Sequence, residues 1–401
     1  MRYSELIELY KAEKLDKEQM DMVKNDIERH EAISNYLFDE NIPDFEEIEI
    51  ASKDTAQKDD SDEQTKFLKM IKSSIRKAFI KTGFIVGIVV LAICMFVIFA
   101  MPKLVDSFYY NPCEITGTKD GLETNRISVD MMVYTELFIP GYFRCDVDAD
   151  SNGYGEYDIN IRQFSSYNGL FTDVAGTIKK GELSLYDNNI LKRPIGSAFV
   201  PAEDVVNDWN GLSRDENLEY ALKELEKLDD NDYYIAYVTL DKVMNYEEFV
   251  EWTSKNNLNP IWCAICQKDE KAYPETDGYF TDDTIGFIYA SSAMEMYYDK
   301  EKYPYLSYFD ATVEADKGED WIIPKDVMTT HVISMLRYME DQKEFRKMME
   351  SYDDGYLKAI ADNIEENGLN IYGYAVIAKQ ETLLELKDVE GLQYIFTRPI
   401  R

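Results

Sequence analysis

Few residues in this chain have both the type and the spacing for chemistry. Trp262-Cys263-Ala264-Ile265-Cys266 has the Cys-x-x-Cys spacing of a redox dithiol. Such a pair needs its first cysteine at a helix N-terminus, where the dipole lowers the thiol pKa. The surrounding PIWCAICQ (260–267) reads as a strand instead. Strand alternation sends the two side chains to opposite faces, with their Cα atoms about 10 Å apart, beyond the roughly 7 Å that a disulfide tolerates. Both cysteines are expected to be small apolar core residues. Only two histidines occur, His30 and His331. His331 shares a helical face with Val327, Met328, Val332, Met335 and Met339 and is expected in a core rather than as a catalyst. Asp148, Asp150, Asn152 and Gly153 match the first half of an EF-hand loop, but the twelfth position is Ile159 where a bidentate Glu is required. A hairpin with an Asn-Gly turn accounts for the same residues; calcium in the Asp148 to Asp158 loop stays open. With no nucleophile elbow, phosphate loop or zinc set, no catalytic residue, metal or cofactor is expected. Clustered carboxylates leave a glycosidase-like pair as the remaining enzymatic alternative.

The elements that carry these residues lie in different surroundings. The 401 residues include 77 acidic and 43 basic side chains, a net charge of −34, which opposes nucleic-acid binding. TGFIVGIVVLAICMFVIFAM, residues 82–101, holds no charge over 20 residues. That is about 30 Å of helix, the hydrocarbon thickness of a bilayer. Lys66, Lys69, Lys72, Arg76, Lys77 and Lys81 precede it and only Lys103 follows closely. The positive-inside rule therefore places the N-terminal part in the cytoplasm and the remainder outside, in a cell-membrane protein with one pass. The expected divisions are a cytoplasmic helical module (1–50), a disordered polar linker (51–65), a basic juxtamembrane helix along the inner leaflet (66–81), the transmembrane helix (82–101), a β-rich outer domain (102–210) and an α+β outer domain (211–401).

In the N-terminal module, Leu6, Ile7, Leu9 and Tyr10 share one face of a short helix. Asp16 then has the position of an N-cap, with Gln19 three residues on. Met20, Val23, Ile27, His30, Ile33 and Leu37 follow at steps of three and four, an apolar seam on a second, longer helix. Two helices of this size cannot bury enough surface to be very stable alone, so the seam is expected to bind a partner.

Outside the membrane the fold class reads as α+β. RISVDMMVYTELFIPGY, YDINIRQFSS and DVAGTIKKGELSLYD are rich in β-branched and aromatic residues and are expected to form an antiparallel sheet. ENLEYALKELEKL (216–228) reads as a helix. YYIAYVTL, NYEEFVEWTSKN and PIWCAICQ read strand, helix, strand, as do IYGYAVIA, ETLLELKD and LQYIFTRP. Two such units suggest a ferredoxin-like core with a helical insertion. Cys113 and Cys145 are the one cysteine pair that could form an outer disulfide, and their pairing stays open.

A short helix, the Lys14-Leu15-Asp16-Lys17-Glu18 turn, a long helix, a basic juxtamembrane stretch and one span resemble a membrane-bound anti-sigma factor. Many such proteins bind zinc through His-x3-Cys-x2-Cys in the long helix. Here the corresponding positions are Asp26, His30 and Ile33, or His30, Ser34 and Leu37, so the resemblance is to the zinc-free branch. Tyr109-Tyr110-Asn111-Pro112 and VYTELFIPGY resemble the N-terminal sigma-factor-regulator domain. The segment from about 231 onward, with AYVTLDK and NPIW, resembles its C-terminal companion. The resemblance implies that the cytoplasmic seam holds an extracytoplasmic-function sigma factor away from RNA polymerase core, while the outer domains respond to envelope conditions or to an extracellular or membrane partner. The alternative is a membrane-anchored binding or adhesion protein with no sigma partner.

Overall fold

Residues 10, 12, 15–38, 61–165, 169–191, 198–199, 214–267, 284–290, 294–315, 322–349 and 353–400 are described by the computed structural model. The chain separates into two units, Met1–Ile88 and Val89–Arg401. In the first, helix α1 spans Lys17–Phe38. Asp16 caps it as its position suggests: the carboxylate accepts from Gln19 N at 2.8 Å, and the carbonyl accepts from Met20 N. Helix α2 spans Ser61–Met95. It begins inside the segment expected to be disordered. Residues 51–60 lie outside the described residues. The basic stretch and the apolar run share this one helix. Lys66–Asp106 is the one helix among the described residues that is long and apolar enough to cross a membrane.

Towards the end of the apolar run the helix widens. Phe96–Ala100 is a π turn, in which Met101 N bonds to Phe96 O five residues back. Helix α3, Met101–Asp106, follows with Pro102 in its first turn. Strands β1 (Ile115–Lys119) and β2 (Leu122–Asn125) form a small hairpin.

Helix α4, Arg126–Phe138, replaces the first strand expected from the sequence. Its β-branched and aromatic residues suggested a strand, but every residue from Ile127 to Phe138 is buried, so no polar stripe discloses the helical period. Its first turn is satisfied from several sides. Asn125 Oδ1 accepts from Ser128 N at 3.0 Å, Glu114 O from Arg126 N, and Pro112 O from Ile127 N.

The two remaining expected runs form β4 (Glu156–Ser165), β5 (Phe171–Lys179) and β6 (Glu182–Leu185), and a strand not expected from the sequence, β3 (Tyr142–Gly153), joins them in a four-stranded antiparallel meander. Along β4, Tyr157, Ile159, Ile161, Gln163 and Ser165 are buried at every second position, a sheet with one covered face. The hairpin turn lies two residues beyond the expected Asn-Gly pair. Gly153 pairs with Glu156, and Tyr154 (φ +60°) and Gly155 (φ +76°) form a two-residue turn of the type that matches strand twist. Asp148 and Asp150 lie within β3, paired with Asn160 and Asp158. Among the described residues no group of three His, Cys, Asp or Glu side chains could hold a metal. Cys113 is a free thiol whose Sγ approaches Ala149 O at 3.3 Å; the Cys145 side chain lies outside those described.

After helix α5 (Arg214–Leu225) comes a five-stranded sheet in the order β11-β7-β10-β8-β9, with all neighbours antiparallel. Its strands are β7 (Tyr233–Asn245), β8 (Trp262–Ile265), β9 (Gly286–Ile288), β10 (Asn370–Lys379) and β11 (Leu392–Pro399). Helix α6 (Tyr246–Lys255) joins β7 to β8 and starts with an Asn245–Glu248 capping box. Four helices lie between β9 and β10: α7 (Tyr308–Ala315), α8 (Lys325–Asp341), α9 (Lys343–Met348) and α10 (Tyr356–Asn367). Helix α11 (Gln380–Leu384) leads to β11. One hydrophobic cluster includes residues of α4, both large sheets and the inserted helices. Cys263 is fully buried in β8, Cys266 lies just past its end, and no disulfide joins them. Burial pushes the Cys263 thiol far above its ordinary pKa, the opposite of what a redox thiol needs.

The closest backbone approach in this sheet is at Gly286, where a Cβ would overlap both Cys263 O and the Trp262 indole. A Gly286→Ala substitution should destabilise the outer unit by about 2–3 kcal/mol, the cost of forcing a methyl into a filled core. Thermal unfolding of the detergent-solubilised chain, followed by tryptophan fluorescence, measures it.

Candidate functional site

Two sets of residues are candidates: the seam expected on the N-terminal helices, and a pair of polar nodes inside the unit Val89–Arg401. Of the seam, Leu6, Ile7 and Leu9 lie outside the described residues. Tyr10 and Met20 are half-buried, Val23 is fully buried and Ile27 is 36% exposed. His30, Ile33 and Leu37 continue α1, but their side chains lie outside those described. Val23 is thus covered, while Ile27 remains partly open to solvent.

The outer nodes both belong to α4. Asp130, with no exposed surface, accepts from Tyr110 Oη at 2.6 Å and from Tyr338 Oη at 2.7 Å. Arg126, one turn earlier, places Nε 3.8 Å from Asp130 Oδ2 and its guanidinium 4.9 Å from the centre of the Tyr110 ring. The same guanidinium donates to Gln342 Oε1 at 2.9 Å and to Glu344 at 2.9 Å. One carboxylate therefore joins the Tyr109–Pro112 segment, α4 and α8, while Arg126 extends the connection to the start of α9. Burial pushes the Asp130 carboxyl up to about 6; the two phenol hydrogen bonds and Arg126 oppose that shift, and Glu114 adds to it. Burial and the Asp130 charge push both tyrosines well up, so they remain donors.

The second node lies two turns further along. Glu136 Oε1 accepts from His331 Nε2 at 2.8 Å and from Ile288 N at 3.3 Å. The Glu136 carbonyl, at the end of α4, accepts from Trp262 Nε1 at 2.6 Å. His331 Nδ1 lies 2.6 Å from Tyr305 O. A carbonyl and a carboxylate both accept, so this geometry asks each ring nitrogen for a proton and fits an imidazolium. Burial alone would lower the His331 pKa; the Glu136 charge, its hydrogen bond and the Tyr305 carbonyl outweigh that and raise it. His331 is thus the core residue expected from the sequence, with an acidic partner 195 residues away. With Asp130, Glu136 and His331 sealed from solvent, both nodes can orient and hold.

Asp130 generates a pH dependence whose sign is fixed. Its folded-state pKa of about 6 exceeds the ordinary 3.8, so between these values the folded state binds more protons than the unfolded state. Its contribution to stability therefore declines as pH rises from 4 to 6, by roughly 2 kcal/mol at about 1.4 kcal/mol per pKa unit. Asp130→Asn should remove this component. The melting temperature of the variant minus that of the parent should rise across pH 4 to 6.5, measured side by side so that the other carboxylates cancel.

The two nodes bear directly on the similarity to known proteins. Tyr338, His331, Trp262 and Ile288 lie within residues 225–396, the segment that matches a family model described as sigma factor regulator C-terminal. No curated protein and no solved structure matches the chain. The segment carrying the five-stranded sheet and its helical insertion is accordingly similar to the C-terminal domain of sigma factor regulators.

Proposed function

We propose that this chain is a single-pass membrane anti-sigma factor. In this reading its N-terminal helices sequester an extracytoplasmic-function sigma factor in the cytoplasm, and Val89–Arg401 answers to conditions outside. The match of residues 225–396 to the sigma factor regulator C-terminal model carries the proposal. Support comes from the membrane-length helix Lys66–Asp106, with its basic residues on the N-terminal side. The order β11-β7-β10-β8, with α6 and α11 as crossovers, supports the ferredoxin-like reading of the outer domain; β9 then extends that core at one edge. The N-terminal module has no cysteine, so packing takes the place of zinc in holding it together. The role is retention and release of a protein, without catalysis or cofactor.

Partner binding would use the apolar seam, which gives the proposal a direct test. Fully burying one such side chain stabilises a complex by about 1.5–3 kcal/mol. Ile27→Asp also places an unpaired carboxylate in the interface, so affinity for the sigma factor should fall by at least roughly a hundredfold. Lys24→Asp, on an exposed position, should change little. Copurification of the full chain with the sigma factor, together with a sigma-dependent reporter, reads both effects, and circular dichroism confirms that the variants remain helical. A folded Ile27→Asp chain that still silenced the reporter would remove the seam from the interface. For orientation, a membrane-impermeant thiol reagent on intact cells should label a cysteine introduced in 270–284 above the parent's background, and none introduced in 51–60.

A further inference from the structure

We propose that the β3–β4 hairpin tip is a foot that docks on the lipid bilayer at its headgroup boundary, fastened there to the outer end of the membrane helix. The inference rests on reading the apolar helix as a membrane span. It starts from one carbonyl. Within the π turn, Met101 N serves Phe96 O. Continued by one residue, the same pattern would have residue 102 serve Val97 O, but Pro102 has no N–H to give. A carbonyl without a donor is costly inside a bilayer, where no water replaces the missing bond. Tyr154 Oη donates to Val97 O at 2.7 Å. A side chain from the tip of the first large sheet thus supplies the hydrogen bond that Pro102 cannot.

The tip is shaped for this contact. Gly153 (φ +79°) comes so close to α3 that a Cβ would lie 3.0 Å from the Pro102 side chain. At Gly155 (φ +76°) a Cβ would lie 3.0 Å from the Tyr109 ring. Gly155 N donates to Asp106 Oδ1 at 2.6 Å. Tyr154 itself holds φ +60°, a left-handed conformation uncommon for an aromatic residue. The segment is therefore built against the helix end at three successive positions.

What covers the open side of this contact follows from where it sits. Val97 lies four residues, about 6 Å, inside the end of the apolar run at Met101. A group bonded to it is held at the level where hydrocarbon gives way to headgroups. The surface around it is aromatic and apolar: Tyr154 is 40% exposed, Phe108 75%, and Leu104 and Tyr109 are also exposed. Amphipathic rings concentrate at this depth, where the ring meets acyl chains and the hydroxyl finds a polar partner. A lipid interface fits both the composition of the patch and its attachment to the span.

The test uses the full chain in lipid nanodiscs whose phosphatidylcholine carries bromine either near the headgroup end or deep in the acyl chains. Single substitutions Tyr154→Trp, Phe108→Trp, Phe96→Trp and Tyr186→Trp report position, each read as the difference from the parent chain's emission. Phe96 lies in the span itself. Tyr186 is 89% exposed and follows β6, which leads away from the Lys180-Gly181 turn beside Gly155. The foot requires Tyr154→Trp and Phe108→Trp to lose emission to the shallow bromines, Phe96→Trp to be quenched by brominated lipid, and Tyr186→Trp to be insensitive. If Phe96→Trp is quenched while Tyr154→Trp and Phe108→Trp behave like Tyr186→Trp, the foot is wrong and the span stands. If Phe96→Trp is also insensitive, the spanning reading fails and takes the foot with it.

Discussion

Helix α4 has almost no solvent face, and the unit Val89–Arg401 is organised around that fact. A helix buried on all sides cannot leave its ends or its charged side chains to water, so each must be met by protein. The N-terminal N–H groups are met by Asn125, Glu114 and Pro112, and the last carbonyl region by the Trp262 indole. Its two carboxylates, Asp130 and Glu136, each gather partners from distant parts of the chain. An acid placed in such a position must either be satisfied completely or be excluded, since a half-satisfied buried charge costs more than an apolar residue. Satisfying both fixes where α8, β8 and β9 must lie relative to α4.

The same constraint explains why residues 225–396 are not structurally complete by themselves. Trp262, Ile288, His331 and Tyr338 all direct polar groups at α4, which lies about a hundred residues before that segment. The helical insertion between β9 and β10 supplies the two side-chain donors, Tyr338 and His331, both from α8. A buried Glu136–His331 pair adds little net stability over a well-packed apolar pair, but breaking one side of it is expensive. Its value is in specifying one arrangement of α4, α8 and the sheet. Tyr110 has the equivalent role at the other node, and this gives a physical meaning to the Tyr-Tyr-Asn-Pro phrase: the tyrosine closes the Asp130 cluster while the proline carbonyl completes the helix start.

Much of the architecture was legible in the sequence where local pattern and environment agree. Four strands of the five-stranded sheet and their crossover helices fall where β-branched runs, turn residues and the Asn245–Glu248 cap place them, while the three-residue β9 was too short to stand out. The Asp16 cap is equally local. Helix α4 was not legible, because burial on every side erases amphipathic periodicity and leaves β-branched content as a misleading signal. The one available hint was acidic residues, Asp130 and Glu136, within an otherwise apolar run. Their partners could not be read at all: Tyr338 is 208 residues from Asp130, and His331 is 195 from Glu136. The hairpin turn was misplaced for a related reason. Asn152-Gly153 has the stronger local turn chemistry, but the tip that forms has its glycines where α3 and Tyr109 come closest.

These elements also form a continuous connection from the membrane helix to the region similar to sigma factor regulators. Tyr154 and Gly155 join the β3–β4 hairpin to Val97 and Asp106. Further along β3, Asn125 Nδ2 donates to Val147 O at 2.8 Å, and Ser128 Oγ both donates to Asp146 and accepts from Val147 N. These bonds fasten the strand to the first turn of α4. From there Asp130 and Glu136 reach α8 and the five-stranded sheet. No step in this series depends on an exposed ion pair, which would contribute little and be screened by salt. Hydrogen bonds to backbone groups carry much of it, and Asp130 and Glu136 carry it through the core, where packed contacts tolerate little independent movement of their partners. A displacement of the five-stranded sheet would therefore reach Val97 and Asp106 as a displacement of the helix that carries them, rather than being absorbed by the connections between them.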